Sequence, residues 1–299
     1  MTLFKTYLCT VCHQTQIRFS VNCTNCHAAN SLVELKPTKQ SEDSPKIIPM
    51  SEVEIIDRER YSTPINENLN GGITHNSMTI LAGVPGGGKS TITLKTLCII
   101  AATPDPPQLL YITSEEGPEM IKLRSQLINI TSPLPRGTVD SQSVNQQGVP
   151  SEIASRIHLL AETELERIIR ALKDFLLSKT PMSYEPSAMN YFVVLDSINA
   201  VLSKNSTSAP GSPSNIVKTL NSLHSLRTKH KELTIFIVGH ANKQGKIAGP
   251  LTLQHMVDTV LLLEIDKSNS RTLSTLKNRF GPSGIKTTFN LQSFGEQIS

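Results

Sequence analysis

The sequence predicts an α/β protein: a mainly parallel sheet with an antiparallel extension at one edge, joined to a small four-cysteine module at the N-terminus. Three observations predict it. A glycine-rich octapeptide, GVPGGGKS over residues 83–90, lies between a short apolar run and a helical segment, and further apolar runs alternate downstream with helix-length stretches. Cys9, Cys12, Cys23 and Cys26 form the pattern C-x2-C-x10-C-x2-C. Strands that alternate with helices run parallel, because each crossover helix returns the chain over a face of the sheet.

Taken in chain order, residues 1–35 form the cysteine module. Its two pairs of thiolates, each on a tight knuckle, can converge tetrahedrally on one Zn²⁺. Four protein ligands close the coordination sphere, so the zinc is expected to be structural, with His13 and His27 as bystanders. A disulfide framework is the competing reading, but nothing in the sequence indicates an oxidising compartment. So short a module cannot hold a hydrophobic core, and metal would contribute most of its folding energy. Residues 36–50, KPTKQSEDSPKIIPM, form a polar, proline-containing linker. Residues 51–299 form the α/β core.

Within the core, buried strands are expected at 78–84, 109–113, 157–161, 191–196 and 234–239, with helices at 89–102, 118–127, 162–178 and 214–228. The closely spaced runs at 259–264, 272–277 and 286–291 have no helices between them and are expected as the antiparallel edge. Residues 131–150, rich in Ser, Gln, Pro and Gly, and residues 203–213 are expected as mobile loops. Cys98 falls on the apolar side of the helix after the octapeptide and is read as a small core residue.

Composition sets limits on function. The chain has 299 residues, 38% apolar, 4% aromatic and no Trp, which argues against an aromatic stacking platform for single-stranded nucleic acid. The formal net charge is +4, and four metal-bound thiolates with one zinc would bring it to about +2, so any basic footprint must be local. No apolar run reaches the roughly 18 residues of a membrane span, and the first eight residues lack the features of a signal peptide. A cytoplasmic protein without a membrane partner is expected.

The octapeptide carries the most specific chemistry. Gly83, Val84, Pro85, Gly86, Gly87, Gly88, Lys89, Ser90 and Thr91 follow a strand and open a helix, so backbone N–H groups and the helix N-terminus can cradle a triphosphate. Lys89 would reach the β- and γ-phosphates of ATP, and Ser90 would hold Mg²⁺. Asp196, ending an apolar strand, is placed to bind the Mg²⁺ shell through water. Another strand runs into Glu115 and Glu116, either of which could orient or deprotonate water; spacing alone does not choose. His240, ending a third strand, could sense the γ-phosphate, with the following loop changing shape with nucleotide state.

Together these segments resemble the bacterial RadA (Sms) DNA-repair ATPases, relatives of RecA, through the cysteine pattern, GVPGGGKST, YITSEE, LAETELERI, VVLDSI, SAPGSPSNIV, GHANKQGKIAGPLTLQHMVDTVLLLE and KNRFG. The resemblance implies a RecA-like fold and makes Glu115 the catalytic glutamate, with Glu116 second. It makes Lys277 and Arg279 of KNRFG trans-acting cations that couple neighbouring subunits of a hexameric ring. It assigns the loops 203–214 and 241–252 to DNA, with Lys243 and Lys246 as phosphate contacts. The implied function is a DNA-dependent ATPase driving branch migration on single-stranded or branched DNA, with a recombinase as a further partner. Departures accompany it: the finger lacks the family's Trp and Gly positions, and YITSEEG replaces YVSGEES. GHANKQG replaces GHVTKEG, residues 131–150 read as an insertion, and the Lon-protease-like domain that follows KNRFG in typical members is read as absent. A strand-exchange protein of RecA type and a nucleotide-gated adaptor with little turnover are the competing readings.

Overall fold

The computed structural model describes residues 6–12, 14–35, 49–52, 58–128, 148–177, 189–204, 206–241, 252–266 and 268–290. They fall into two compact units, 1–57 and 58–299. The first unit carries a three-stranded antiparallel sheet of β1 (Thr6–Cys9), β2 (Thr15–Gln16) and β3 (Leu32–Leu35) in the order β2-β1-β3.

The second unit opens with the short ladder of β4 (Arg60–Tyr61) and β5 (Ile73–Thr74). Its main sheet comprises β6 (Met78–Gly83), β7 (Gln108–Thr113), β8 (Ile157–Ala161), β9 (Tyr191–Asp196), β10 (Leu233–His240), β11 (Thr259–Ile265), β12 (Arg271–Asn278) and β13 (Lys286–Phe289). The spatial order is β13-β12-β11-β6-β10-β9-β7-β8. The helices are α1 (Lys89–Ala101), α2 (Pro118–Ser125), α3 (Ser151–Ser155), α4 (Leu165–Leu177), α5 (Pro213–Lys229) and α6 (Thr252–Met256).

Alternation along the strands makes two cores. Leu81, Tyr111, Phe192, Val194, Phe236 and Leu261 pack with α1 residues Ile92, Leu94 and Leu97 on one face. Ile80, Ile112, Val193, Leu195, Ile235 and Ile237 pack with Ile168 and Leu172 of α4 and Leu220 and Leu223 of α5 on the other. Strands covered on both faces read as unbroken apolar runs rather than alternating ones, which is how β6, β9 and β10 appear, and burial pushes the Cys98 thiol up to about 12.

Three expectations need correction. The run at 259–264 was expected in the antiparallel edge, but β11 pairs parallel with β6, and only β12 and β13 are antiparallel. The connection that carries α6 returns the chain to the amino end of the sheet, so β11 starts beside Met78, with the Asp258 N–H donating to the Met78 carbonyl at 2.9 Å. The run at 157–161 forms the edge strand β8 rather than a buried one, and Leu159 is 38% exposed. The segment 203–213, expected as a mobile loop, is tied down where described. Asn215 Nδ2 donates to the carbonyls of Ser208 and Ala209, and the Ser203 hydroxyl sits between Glu166 and Lys218. The loop expected at 131–150 lies outside the described residues up to 147.

Asp258, buried at the amino end of the sheet, accepts the Met78 N–H at 2.9 Å and lies 2.9 Å from Arg279 and 3.5 Å from Arg227. Removing the carboxylate takes the counter-charge from the half-buried Arg227 guanidinium, which keeps the Asn76 carbonyl at 2.6 Å. Asp258→Ala is therefore expected to cost roughly 3 kcal/mol, read as a lower urea midpoint.

Candidate nucleotide site and metal centre

The parallel strands deliver their carboxyl ends to one edge, and the phosphate loop leaves from the middle of it. Gly83 ends β6 beside β11: a Cβ there would lie 2.6 Å from the Leu263 carbonyl oxygen, so only glycine fits without moving backbone. Gly86 and Gly88 adopt left-handed φ values of 74° and 96°, and Gly88 caps α1. With Val84 and Pro85 between Gly83 and Gly86, the loop turns on the Gly87 N–H, which donates to the Val84 carbonyl at 3.2 Å.

Lys89 is 6% exposed, and its Nζ donates to the carbonyls of Gly83 at 3.0 Å and Val84 at 2.9 Å. Burial holds its pKa below the usual lysine range, against the opposing pull of Asp196 and Glu115. The ammonium thus sits inside its own loop beside two carboxylates. Thr91, next along α1, is partly buried.

Asp196 ends β9, pairs in register with Thr113 of β7, and is 7% exposed. Burial raises its pKa, while hydrogen bonds from Ser90 and Tyr111 and the charge of Arg124 oppose that rise. The Tyr111 hydroxyl donates directly to Asp196 Oδ2. This tyrosine was missed in the sequence, although its place in register with Val194, one strand over, was readable once β7 and β9 were known to be neighbours.

Glu115 and Glu116 diverge. Glu115 accepts the Ser197 hydroxyl, and its Oε1 lies 3.3 Å from Nε2 of His240. Glu116 turns to Arg124 at 2.8 Å. Two hydrogen bonds tie the ends of β7 and β9 together: Ser114 N–H to the Asp196 carbonyl at 2.8 Å and Ser114 Oγ to the Ser197 carbonyl at 2.6 Å. His240 is fixed from behind by its own N–H on Asn199 Oδ1 at 2.8 Å. Lys89, Ser90, Asp196, Glu115 and His240 therefore share one edge of the sheet.

Lys277 and Arg279 do not join them. Lys277 Nζ donates to the carbonyls of Gln254 and Val257 at 2.6 Å each, and Arg279 bonds Asp258 and the His255 carbonyl. Both lie where β12 meets the start of β11, since Thr259 pairs with Asn278, at the opposite end of the parallel strands from the phosphate loop. Lys243 and Lys246 lie outside the described residues.

In the first unit the four sulfurs of Cys9, Cys12, Cys23 and Cys26 lie within 4.8 Å of one another, the one such ligand cluster among the described residues. Cys9 and Cys26, and Cys12 and Cys23, are each 3.6 Å apart, close to the edge of about 3.8 Å for a tetrahedron of sulfurs 2.3 Å from zinc. The Ser31 hydroxyl and the Cys12 and Val11 amides draw the Cys9 thiol down to about 6. The Ala28 amide favours a thiolate at Cys26, but burial and the three neighbouring sulfurs push it up to about 12. Four thiolates at this spacing need a cation, so the donor set fits Zn²⁺. The His27 backbone N–H donates to the Cys23 carbonyl at 2.9 Å, and His13 lies outside the described residues.

The chain is 31% identical over 306 residues to DNA repair protein RadA of Bacillus subtilis (strain 168), a match covering 97% of this chain and 58% of that protein. The chain thus spans a little over half the length of the curated relatives it matches. Among solved structures it resembles a KaiC-like protein from the archaeon Pyrococcus horikoshii OT3, with a TM-score of 0.54 and 16% identity over 79% of this chain and 96% of the other. It also resembles the RadB recombinase, with a TM-score of 0.52 and 20% identity over 78% of this chain and 96% of that one. These two likenesses establish a RecA- and KaiC-like fold. The family model described as AAA domain matches residues 44–246, more than half of the chain, and the chain belongs to that family.

Proposed function

We propose that this chain is a Mg²⁺-dependent ATP hydrolase acting on single-stranded or branched DNA in recombinational repair, the activity of a RadA-like branch-migration motor. The reading rests above all on one observation: Lys89, Ser90, Asp196, Glu115 and His240 converge at the carboxyl edge of the sheet beside a glycine-built loop. Bound ATP would supply the transferable phosphoryl group, and Mg²⁺ would supply positive charge against the charge that develops on it. The chain's residues supply the rest. Lys89 would exchange its two carbonyl partners for phosphate oxygens. Ser90 and Asp196 would hold the metal shell, Glu115 would orient and deprotonate the attacking water, and His240 would report the γ-phosphate to the loop that follows it.

Lys277 and Arg279 fit a trans role, because within one chain they are on the wrong end of the sheet to reach the phosphate loop. A homo-oligomer, a hexameric ring by the RadA resemblance, would bring them to a neighbour's site. DNA would run along residues 203–214 and 241–252. The domain plan is a zinc finger at 1–35, a linker at 36–50 and the ATPase core at 51–299, with Zn²⁺ on the four cysteines and a cytoplasmic location. Among the described residues no helix is long and apolar enough to cross a membrane.

ATP turnover with and without single-stranded DNA tests the reading. DNA should stimulate hydrolysis, and Lys89→Ala should abolish the stimulated rate. Stimulated hydrolysis that survives Lys89→Ala sinks it.

A further inference from the structure

The phosphate loop has a second cation that its glycine, lysine and serine signature does not include. Arg271 opens β12 and pairs in register with Ile265 at the carboxyl end of β11, next to the loop. Its Nε donates to the Gly87 carbonyl at 3.3 Å, and Nη1 donates to the Asn269 carbonyl at 2.8 Å. The residue is 8% exposed. A guanidinium that deep usually faces a carboxylate; among the described residues its hydrogen-bond partners are backbone carbonyls.

The contact with Gly87 has a geometric consequence. A trans peptide is planar, with its C=O and N–H pointing opposite ways. Holding the Gly87 carbonyl against β12 therefore turns the Gly88 N–H away from β12. Gly88 sits at φ 96° and is held on its other side by its own carbonyl, which accepts the Ile92 N–H at 3.0 Å. In a loop that receives a diphosphate, the N–H ahead of the lysine is one of those that bind it.

We propose that Arg271 is a positioning residue for the nucleotide: it holds the Gly87 carbonyl so that the Gly88 N–H is aimed at the diphosphate. This rests on the nucleotide-binding reading above. It makes the antiparallel strand β12 part of the nucleotide site, and a lysine, which keeps a charged donor, should replace the arginine in part.

The test is titration of the full chain with a fluorescent ADP analogue in Mg²⁺, alongside melting of the nucleotide-free protein. Arg271→Met is expected to weaken ADP binding roughly tenfold or more, with little change in melting temperature, the loss typical of a hydrogen bond that involves a charge. Arg271→Lys should recover most of that loss, which a mere packing defect would not allow. Should the methionine variant melt early, Arg271→Gln replaces it under the same expectation. Wild-type chain that binds ADP, with variants that bind it equally well, overturns the role of Arg271 alone. Wild-type chain that does not bind ADP overturns the nucleotide reading and this inference with it.

Discussion

Glu115→Gln is expected to cut ATP turnover by roughly 10²–10⁴-fold, the range lost when a general base is removed. Gln keeps the length of the side chain and can still accept the Ser197 hydroxyl, so the ends of β7 and β9 should remain joined through Ser114 and Ser197. What it loses is the negative charge that faces Lys89 and His240 and the capacity to take a proton from water. Glu116→Gln is the internal control. That carboxylate is paired with Arg124 at 2.8 Å, and its neutralisation should move turnover by less than about tenfold while loosening the turn into α2. Steady-state hydrolysis of both variants, with ATP binding measured in parallel, separates binding from chemistry. If Glu116→Gln were the inactive variant and Glu115→Gln turned over normally, the assignment would be reversed.

The choice between these two acids shows where sequence reading stops. Their position at the end of an apolar strand beside a phosphate loop was legible, because buried parallel strands write continuous apolar runs and the octapeptide places its own strand and helix. Which of two adjacent side chains faces the loop was not, because it depends on the partner each finds: Ser197 one strand away for Glu115, and Arg124 eight residues on for Glu116. Sheet order is hidden for the same reason. β6 lies between β10 and β11, so residues that meet at the phosphate loop come from segments as much as 184 positions apart. Tyr111 on Asp196 and Arg271 on Gly87 are such cross-strand contacts, and neither belongs to a local motif. β11 was mistaken for an antiparallel strand because the short helix α6 before it has only five residues, too few to write a helical period. The cysteine cluster was the easiest part to read: its ligands come in two close pairs, and metal geometry dictates the remainder.

Removing the metal from the four-cysteine cluster should unfold residues 6–35 and leave the second unit standing. The strands of this module are four, two and four residues long, too short for a sheet that stands on its own. Among the described side chains of the module, Val11, Ile17, Phe19, Val21 and Val33 are 56–68% exposed, and the buried ones are Cys9, Cys23 and Ser31. Hydrophobic burial therefore contributes little, and the crowded sulfurs repel one another once ionised. A structural zinc ion contributes about 10–16 kcal/mol in small modules of this kind, as much as the whole net stability of a typical domain. The second unit has its own two cores on either face of an eight-stranded sheet and shares none of those ligands. Hydrogen exchange in the presence of a strong zinc chelator should thus abolish protection at the Cys9, Cys23 and Asn30 amides, which are hydrogen-bonded to Gln14, Ala28 and Val21, while β6, β9 and β10 keep theirs. Cys26→Ser should reproduce the effect without chelator. Protection that persists in the metal-free module would mean that its short sheet folds without a cation, and the tetrahedral reading of the four sulfurs would then have to be abandoned.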